Sequence, residues 1–486
     1  MSARSEPLVL YVLGRSRAVG EIDLVNETVE LAKWIAGLKY SDIPENVVER
    51  AKVHILDNLG CQLGGSIQDS NKAVLRYVRS QGGVPECTIV NYGDKTSVFN
   101  AVFVNGSFGH GWDFDDQCIP GGSHQESQCT SASMAMGERQ LLDGREILTA
   151  FVAGYETYAR IGHTAEPGHT QDRNFHSVGT ISPFAGAAIG AKALHLDEWE
   201  TENALAVAAS QCGGTFQHSQ TTGGAVKRCH SGFGASNGVR SAMLAEEGLT
   251  GAREILEGKK GWLSCYSGRY DLTKLTKDLG TFWYLTTYAA IKNYSCCSAQ
   301  YSILDTVYKL KKDHNIKPED VEEVVLGVGE TPLWMVGTIH IPAENDIFGA
   351  QFSARYATAM ALIVGDNRIR GYQRNVPPHG KSKEITELAK KVKMELDPEI
   401  QERAVKERAS SARVTIKLRG GRTVKGETYW PKGWPKNPMT REELLDKFTG
   451  QASLVISKEK QNKIIDIVNH LEDQDDILGL MPNLVA

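Results

Sequence analysis

Phe184-Ala-Gly-Ala-Ala-Ile-Gly-Ala-Lys-Ala-Leu194 is the run that decides the fold class. Small residues stand on several of its faces, so neighbouring helices can approach closely. It reads as a helix over 182–194 at the centre of an all-helical core. The stretch 202–212 continues in the same manner. Upstream, apolar residues at helical spacing (Leu24, Val25, Val29, Leu31, Ile35, Leu38) predict an amphipathic helix over 22–38. A second helix begins at Pro44 and runs to Gly64 and Gly65. A third covers 69–81, with Asp69 or Ser70 as its cap. Further helices are expected over 97–108 and 145–161, and 226–247 becomes helical through Arg240, Met243 and Leu244.

Past about residue 295 the texture changes. A helix over 302–311 is followed by a β-branched strand over 321–328, then a buried helix over 352–364. Residues 413–418 alternate as a strand, turn at Gly420-Gly421 and return over 422–429 as a hairpin. A proline-rich connector, 431–438, leads to closing helices over 441–448 and 458–471. The pattern implies a mainly α, two-domain chain. A large helical domain is built from 21–294 together with 432–475, and 295–431 forms a smaller α+β lid domain.

Composition narrows the function classes. The 486 residues exceed one core, and 41% hydrophobic with 23% charged content is ordinary for a globular protein. A formal net charge of −5 gives no basic face, so no nucleic-acid partner is expected. No apolar run approaches the roughly 20 residues that span a bilayer, so no membrane partner is expected either. Nine scattered cysteines fall into no Cys-x-x-Cys pair or zinc spacing, which fits reduced thiols in the cytoplasm and no metal. The first 20 residues carry Arg4, Arg15 and Arg17 against Glu6, a composition compatible with an organelle presequence.

Chemistry concentrates in Asn105-Gly-Ser-Phe-Gly-His-Gly-Trp-Asp-Phe-Asp-Asp116 and the glycine loop up to His124. Asp113, Asp115 and Asp116 crowd together between His110 and His124. Close carboxylates need cations, metal or donors to offset their repulsion, and a carboxylate beside an imidazole can share acid–base work. A solvated acidic loop is the structural alternative. Gly234-Ala-Ser-Asn-Gly238 matches a nucleophile elbow in letters, but no strand precedes it, and helix-packing glycines explain it better. Cys229 and His230 are adjacent, and adjacent side chains diverge. His176, Lys227 and Lys292 are the other polar residues set among small or apolar neighbours. Together these groups are equipment for proton abstraction beside a carboxylate without a metal.

These residues lie in pieces that resemble the MmgE/PrpD family, which includes 2-methylcitrate dehydratases, cis-aconitate decarboxylases and iminodisuccinate epimerases. The pieces are Ile55-Leu-Asp-Asn-Leu-Gly60, Trp112-Asp-Phe-Asp-Asp116, Gly154-Tyr-Glu156 with Arg160, Phe175-His-Ser-Val-Gly179, and Val226-Lys-Arg-Cys-His-Ser-Gly232. Ile291-Lys-Asn-Tyr-Ser-Cys-Cys297, Ala350-Gln-Phe-Ser353 and Pro431-Lys-Gly433 through Asn437-Pro-Met-Thr440 complete them. The resemblance implies a helical domain built from both chain ends, a lid domain, a homodimer and no cofactor. It places Asp113, His124, His176, Lys227 and Lys292 on the family's catalytic positions, with Ser123 as the alternative to His124.

Two departures bear on the reaction. Relatives commonly carry Thr where this chain has Gln117, and His where it has Gln300. Glutamine neither takes up nor releases a proton near neutral pH, so both are expected to bind substrate rather than act as acids. The expected activity is a cofactor-independent lyase, a dehydratase or decarboxylase of a citrate- or aconitate-like di- or tricarboxylate. An epimerase or isomerase of a small dicarboxylate such as iminodisuccinate is the alternative, and the glutamines favour it. A non-catalytic binding protein on the same fold is a third reading.

Overall fold

A computed structural model describes residues 26–220, 224–407 and 410–486. The larger body opens with the helices α1 Glu27–Gly37, α2 Glu45–Ser66, α3 Asp69–Gln81, α4 Val98–Gly109, α5 Glu126–Gln140, α6 Gly144–Ala165, α7 Ser177–Ala193, α8 Glu198–Ala209 and α9 His230–Glu246, and the helices Arg441–Ala452 and Lys458–Asn469 return to it. The described part of the first helix starts at Glu27 after Asn26, and residues 22–25 of the expected helix lie outside the described residues. Gln68, rather than Asp69 or Ser70, caps α3, its side chain accepting from the Ser70 N–H. α5 has no counterpart among the sequence expectations.

The small-residue helix is central. Every α7 residue except Lys192 is buried, and it lies along α6 and α9. A Cβ on Gly186 would stand 2.4 Å from the Ala235 carbonyl oxygen, and one on Gly238 2.1 Å from that of Pro183. The Gly-x-Ser-x-Gly letters are therefore the contact face of two helices in backbone contact, as the missing strand requires.

The chain crosses into a second hydrophobic core at Ala290. That core runs through Tyr301, Val324, Tyr356 and Val414 to Trp434, whereas the first collects Leu31 to Ala289 and Phe448 to Leu484. The expected division, 21–294 with 432–475 against 295–431, remains a proposal; Ala290, Tyr294 and Trp434 of the second core lie on the helical side of it. Two-stranded pairs (β1 Cys87–Thr88 with β2 Lys95–Thr96, β3 Gln117–Cys118 with β4 Ala289–Ala290) serve the helical body. The smaller body holds a four-stranded sheet of β5 Val321–Val328, β6 Val392–Leu396, β7 Ala412–Leu418 and β8 Thr423–Thr428, in the order β6-β5-β7-β8. β6 runs parallel to β5 and the other pairs are antiparallel. No helix among the described residues is long and apolar enough to cross a membrane.

Candidate active site

The β3–β4 pair sets the geometry. It registers Gln117 against Ala290, which carries Lys292 to the acid loop across 179 residues of sequence. Trp112 and Phe114 flank Asp113 and are buried with Cys61 and Ile369, so the loop is anchored on both sides of its carboxylate. Asp113 itself has φ +51°, a left-handed conformation that Asp tolerates better than most residues.

Two ammonium groups converge on the Asp113 carboxylate. Lys227 Nζ donates to Oδ1 at 2.8 Å and Lys292 Nζ at 3.0 Å. Burial works against the charge, but Lys227 and Lys292 outweigh it and hold this carboxyl well below its ordinary value. Lys292 also donates to the Asp113 carbonyl at 2.9 Å and approaches the Cys296 carbonyl at 3.4 Å. Its three N–H groups are thereby engaged behind the carboxylate. Lys227 donates as well to His110 Nε2 at 2.8 Å, and His110 Nδ1–H donates to Asp115 at 2.8 Å. Burial lowers the Lys227 pKa, and Asp113 offsets this only in part.

His124 lies 3.7 Å from Asp113 Oδ1 through Nε2. Its Nδ1 is 2.6 Å from the Asp116 carbonyl, an obligate acceptor, so Nδ1 carries the hydrogen and Nε2 presents a lone pair. Burial and the nearby Lys292 hold His124 well below its ordinary pKa, and the ring is neutral. Ser123 instead closes the loop through its backbone, paired with Cys118. His176 precedes α7, its Nδ1 2.7 Å from His230 Nδ1. Burial and the neighbouring His218 and His230 keep it neutral too.

Asp113, Gln117, His124, His176 and Lys227 share the wall of one cavity of about 540 Å³. Lys292 and Gln300 are absent from that wall. Gln300 is fully buried and donates its amide to the Gln351 carbonyl at 2.6 Å, so the expected substrate contact is not made from this position.

Both family models match this chain. The MmgE/PrpD N-terminal domain covers residues 29–274 and the C-terminal domain 294–473. The chain belongs to the MmgE/PrpD family. A cis-aconitate decarboxylase-like protein, oryM, of Aspergillus oryzae is 27% identical over 94% of this chain and 96% of its own length. The cis-aconitate decarboxylase of Aspergillus terreus is 27% identical over 93% and 95%, and the human one 25% over 92% of each.

Several residues of this MmgE/PrpD chain escaped the sequence reading. His218 and His230 join His176 in a buried trio whose ring nitrogens lie within 4.8 Å of one another. Burial pushes them down to about 3 and about 4 respectively, with Lys227 adding to the shift at His218 and His110 at His230. The trio has metal-ligand chemistry, but the His176–His230 hydrogen bond already uses two of those nitrogens. His110, Asp113, Asp115 and His124 form a second donor set, where the two lysines occupy the charge a cation would neutralise. Gln351 ties the bodies together: its Nε2 donates to the Trp112 and Ser295 carbonyls at 2.7 and 2.8 Å, and its Oε1 accepts from Arg228 at 3.2 Å.

Behind the loop, Asp116 accepts from the backbone of Gln125 and Glu126 and from Tyr155 Oη at 2.8 Å. Lys447 donates to Asp57 at 2.6 Å and to the Phe114 carbonyl at 2.7 Å. Asp57 and Tyr155 stand in the quoted motif pieces, but nothing in the sequence pointed to their partners Lys447 and Asp116.

Proposed function

We propose that the chain is a cofactor-independent lyase of a small citrate- or aconitate-like di- or tricarboxylate, working as a homodimer in a reducing, cytoplasmic compartment. The supporting observation is a neutral imidazole, His124, with its lone pair on the cavity wall beside a carboxylate held ionised by two lysines. Two Lys227 N–H groups are spent on Asp113 and His110 among the described residues, leaving the third to meet a substrate carboxylate. In this reading His124 Nε2 takes the proton from the carbon next to that carboxylate. The electron pair moves into the carboxylate, and Lys227 holds the resulting charge, since a preorganised cation at a developing oxyanion is worth roughly 10²–10³ in rate. For dehydration the pair collapses back as the β-hydroxyl leaves with the proton His124 has just accepted, so water departs and the imidazole is neutral again. For decarboxylation no carbon proton is removed, and the carbon–carboxylate bond breaks to release carbon dioxide. The pair left on carbon is quenched by a proton from the Lys227 ammonium, which solvent then restores. Lys292 fixes Asp113 and acts through it, which makes it a positioning residue. All nine cysteines are free thiols, in keeping with the compartment.

The relatives' names weigh toward decarboxylation. Gln117, whose Oε1 accepts from Ser298 at 3.1 Å, brings no proton to the cavity and favours the second reading, an epimerase that removes and returns one proton. Incubation with citrate, methylcitrate, cis-aconitate and iminodisuccinate in deuterated water, followed by NMR, separates them. Loss of water or carbon dioxide is expected; deuterium uptake with inverted configuration and no leaving group would establish the epimerase, and no reaction with any acid would overturn both. Activity is expected to be unchanged by EDTA, and its loss with recovery on adding one metal ion would assign a metal to the histidine trio.

A further inference from the structure

The cavity is larger and more one-sided than a citrate-like acid requires. At about 540 Å³ it falls within the roughly 300–1,000 Å³ of sites that enclose drug-sized ligands. Among the described lining residues there is one lysine, Lys227, and no arginine, so cationic recognition of carboxylates is confined to the floor. From that floor an apolar wall climbs away. His176 meets the edge of Phe216 at 5.3 Å, and Phe216 meets the edge of Trp334 at 5.6 Å. Beyond Trp334 the lining continues through Met335 to Ala404 and Val405 on the helix Pro398–Glu407. Val405 is 70% exposed on that helix, beyond the buried Ile400 that also lines the cavity. The polar groups beside it, Thr331, Gln401 and Ser410, carry no charge. Glu166, also in the lining, would repel a carboxylate.

We infer that the substrate carries an apolar arm, an alkyl chain of several carbons, joined to its carboxylate head. The head sits over Lys227 and His124 and the chain lies along Phe216, Trp334 and Val405. This rests on the reading of the floor as a carboxylate site. Each methylene buried against such a wall strengthens binding about fourfold.

The test uses two series with the purified full chain. Unreactive succinate, butylsuccinate and hexylsuccinate report binding by titration calorimetry; citrate, 2-methylcitrate, 2-butylcitrate and 2-hexylcitrate report kcat/KM. Hexylsuccinate is expected to bind at least about 100-fold tighter than succinate, and kcat/KM is expected to rise along the citrates. Val405→Asp, at an exposed position, and Trp334→Ser should each lower the hexyl-to-unsubstituted ratio at least about tenfold. Equal affinity along the succinates, or turnover confined to the short citrates, overturns the apolar arm and leaves the lyase reading standing. Chain-length-dependent binding with no turnover of any citrate supports the arm and overturns the lyase reading.

Discussion

Asp113 and Asp116 stand three positions apart in one loop, both buried, and they end in opposite states. Asp113 faces the cavity and two ammonium groups, which keep it ionised. Asp116 faces the helices, where burial and the charge of Asp115 push it up to about 7 despite its backbone and tyrosine donors. Behind it Glu126 is raised further by burial and Asp57. The front of the loop holds charge where a substrate would meet it, and the rear holds protons where helices pack. Sequence neighbours thus take their chemistry from what each side chain faces, and the loop insulates one environment from the other.

Four experiments break or sharpen that contrast. The largest effect is expected at the front: His124→Gln removes the lone pair and should lower kcat by roughly 10²–10⁴ with an unchanged melting temperature. A comparable fall in melting temperature would make the ring structural. Next, Lys447→Met strips the rear of its cation and leaves Asp57 buried alone. Breaking such a pair costs about 3–5 kcal/mol, to be read from the denaturant midpoint, while turnover per folded molecule stays near wild type. Tyr155→Phe deletes one donor to Asp116 and should cost about 1–3 kcal/mol, again with little change in kcat; a large kcat loss would show that the rear face reaches the chemistry.

The smallest effect concerns pH. His124 must be neutral, and its pKa is depressed below 6.5, so the acid limb of kcat/KM should fall on the acid side of 6.5. Lys227 must be protonated, and its pKa is lowered from 10.5, so the alkaline limb should fall on the acid side of 10.5. Between them activity should be flat through pH 7, where Asp116 titrates. A step at pH 7 would couple rear to front.

Much of the fold was legible because burial writes a period into the residues. Ser97 capping α4, the β-branched run of β5 and the glycine-rich interface of α7 each follow from local chemistry. α5 was not legible for a physical reason: Glu126-Ser-Gln-Cys-Thr-Ser-Ala-Ser-Met-Ala-Met136 is buried on every side, so it has no polar stripe to mark a face. β6, with Lys393 and Glu395 outward on a short strand, left too few residues to count. In the candidate site the motif residues Asp113, His124, His176 and Lys227 share one cavity wall, and their catalytic roles remain proposals. Gln300 was read correctly as a non-acid but not as a residue facing inward, because sequence does not record which way a side chain turns. His218 escaped because nothing local marks it; its significance lies in two histidines brought beside it by the turn at α7 and the start of α9.

The bond from Lys447 to Asp57 spans 390 residues, and that to the Phe114 carbonyl spans 333. A ribosome delivers the chain from its N-terminus, and domains ordinarily fold in that order. Here the acid loop and α2 emerge early yet wait for a lysine that is made only after the entire smaller body. Burial opposes the charge of Asp57, so until Lys447 arrives the carboxyl lacks the cation that offsets its burial. The newborn protein therefore gains its last support for the acid loop only once its lid has been synthesised.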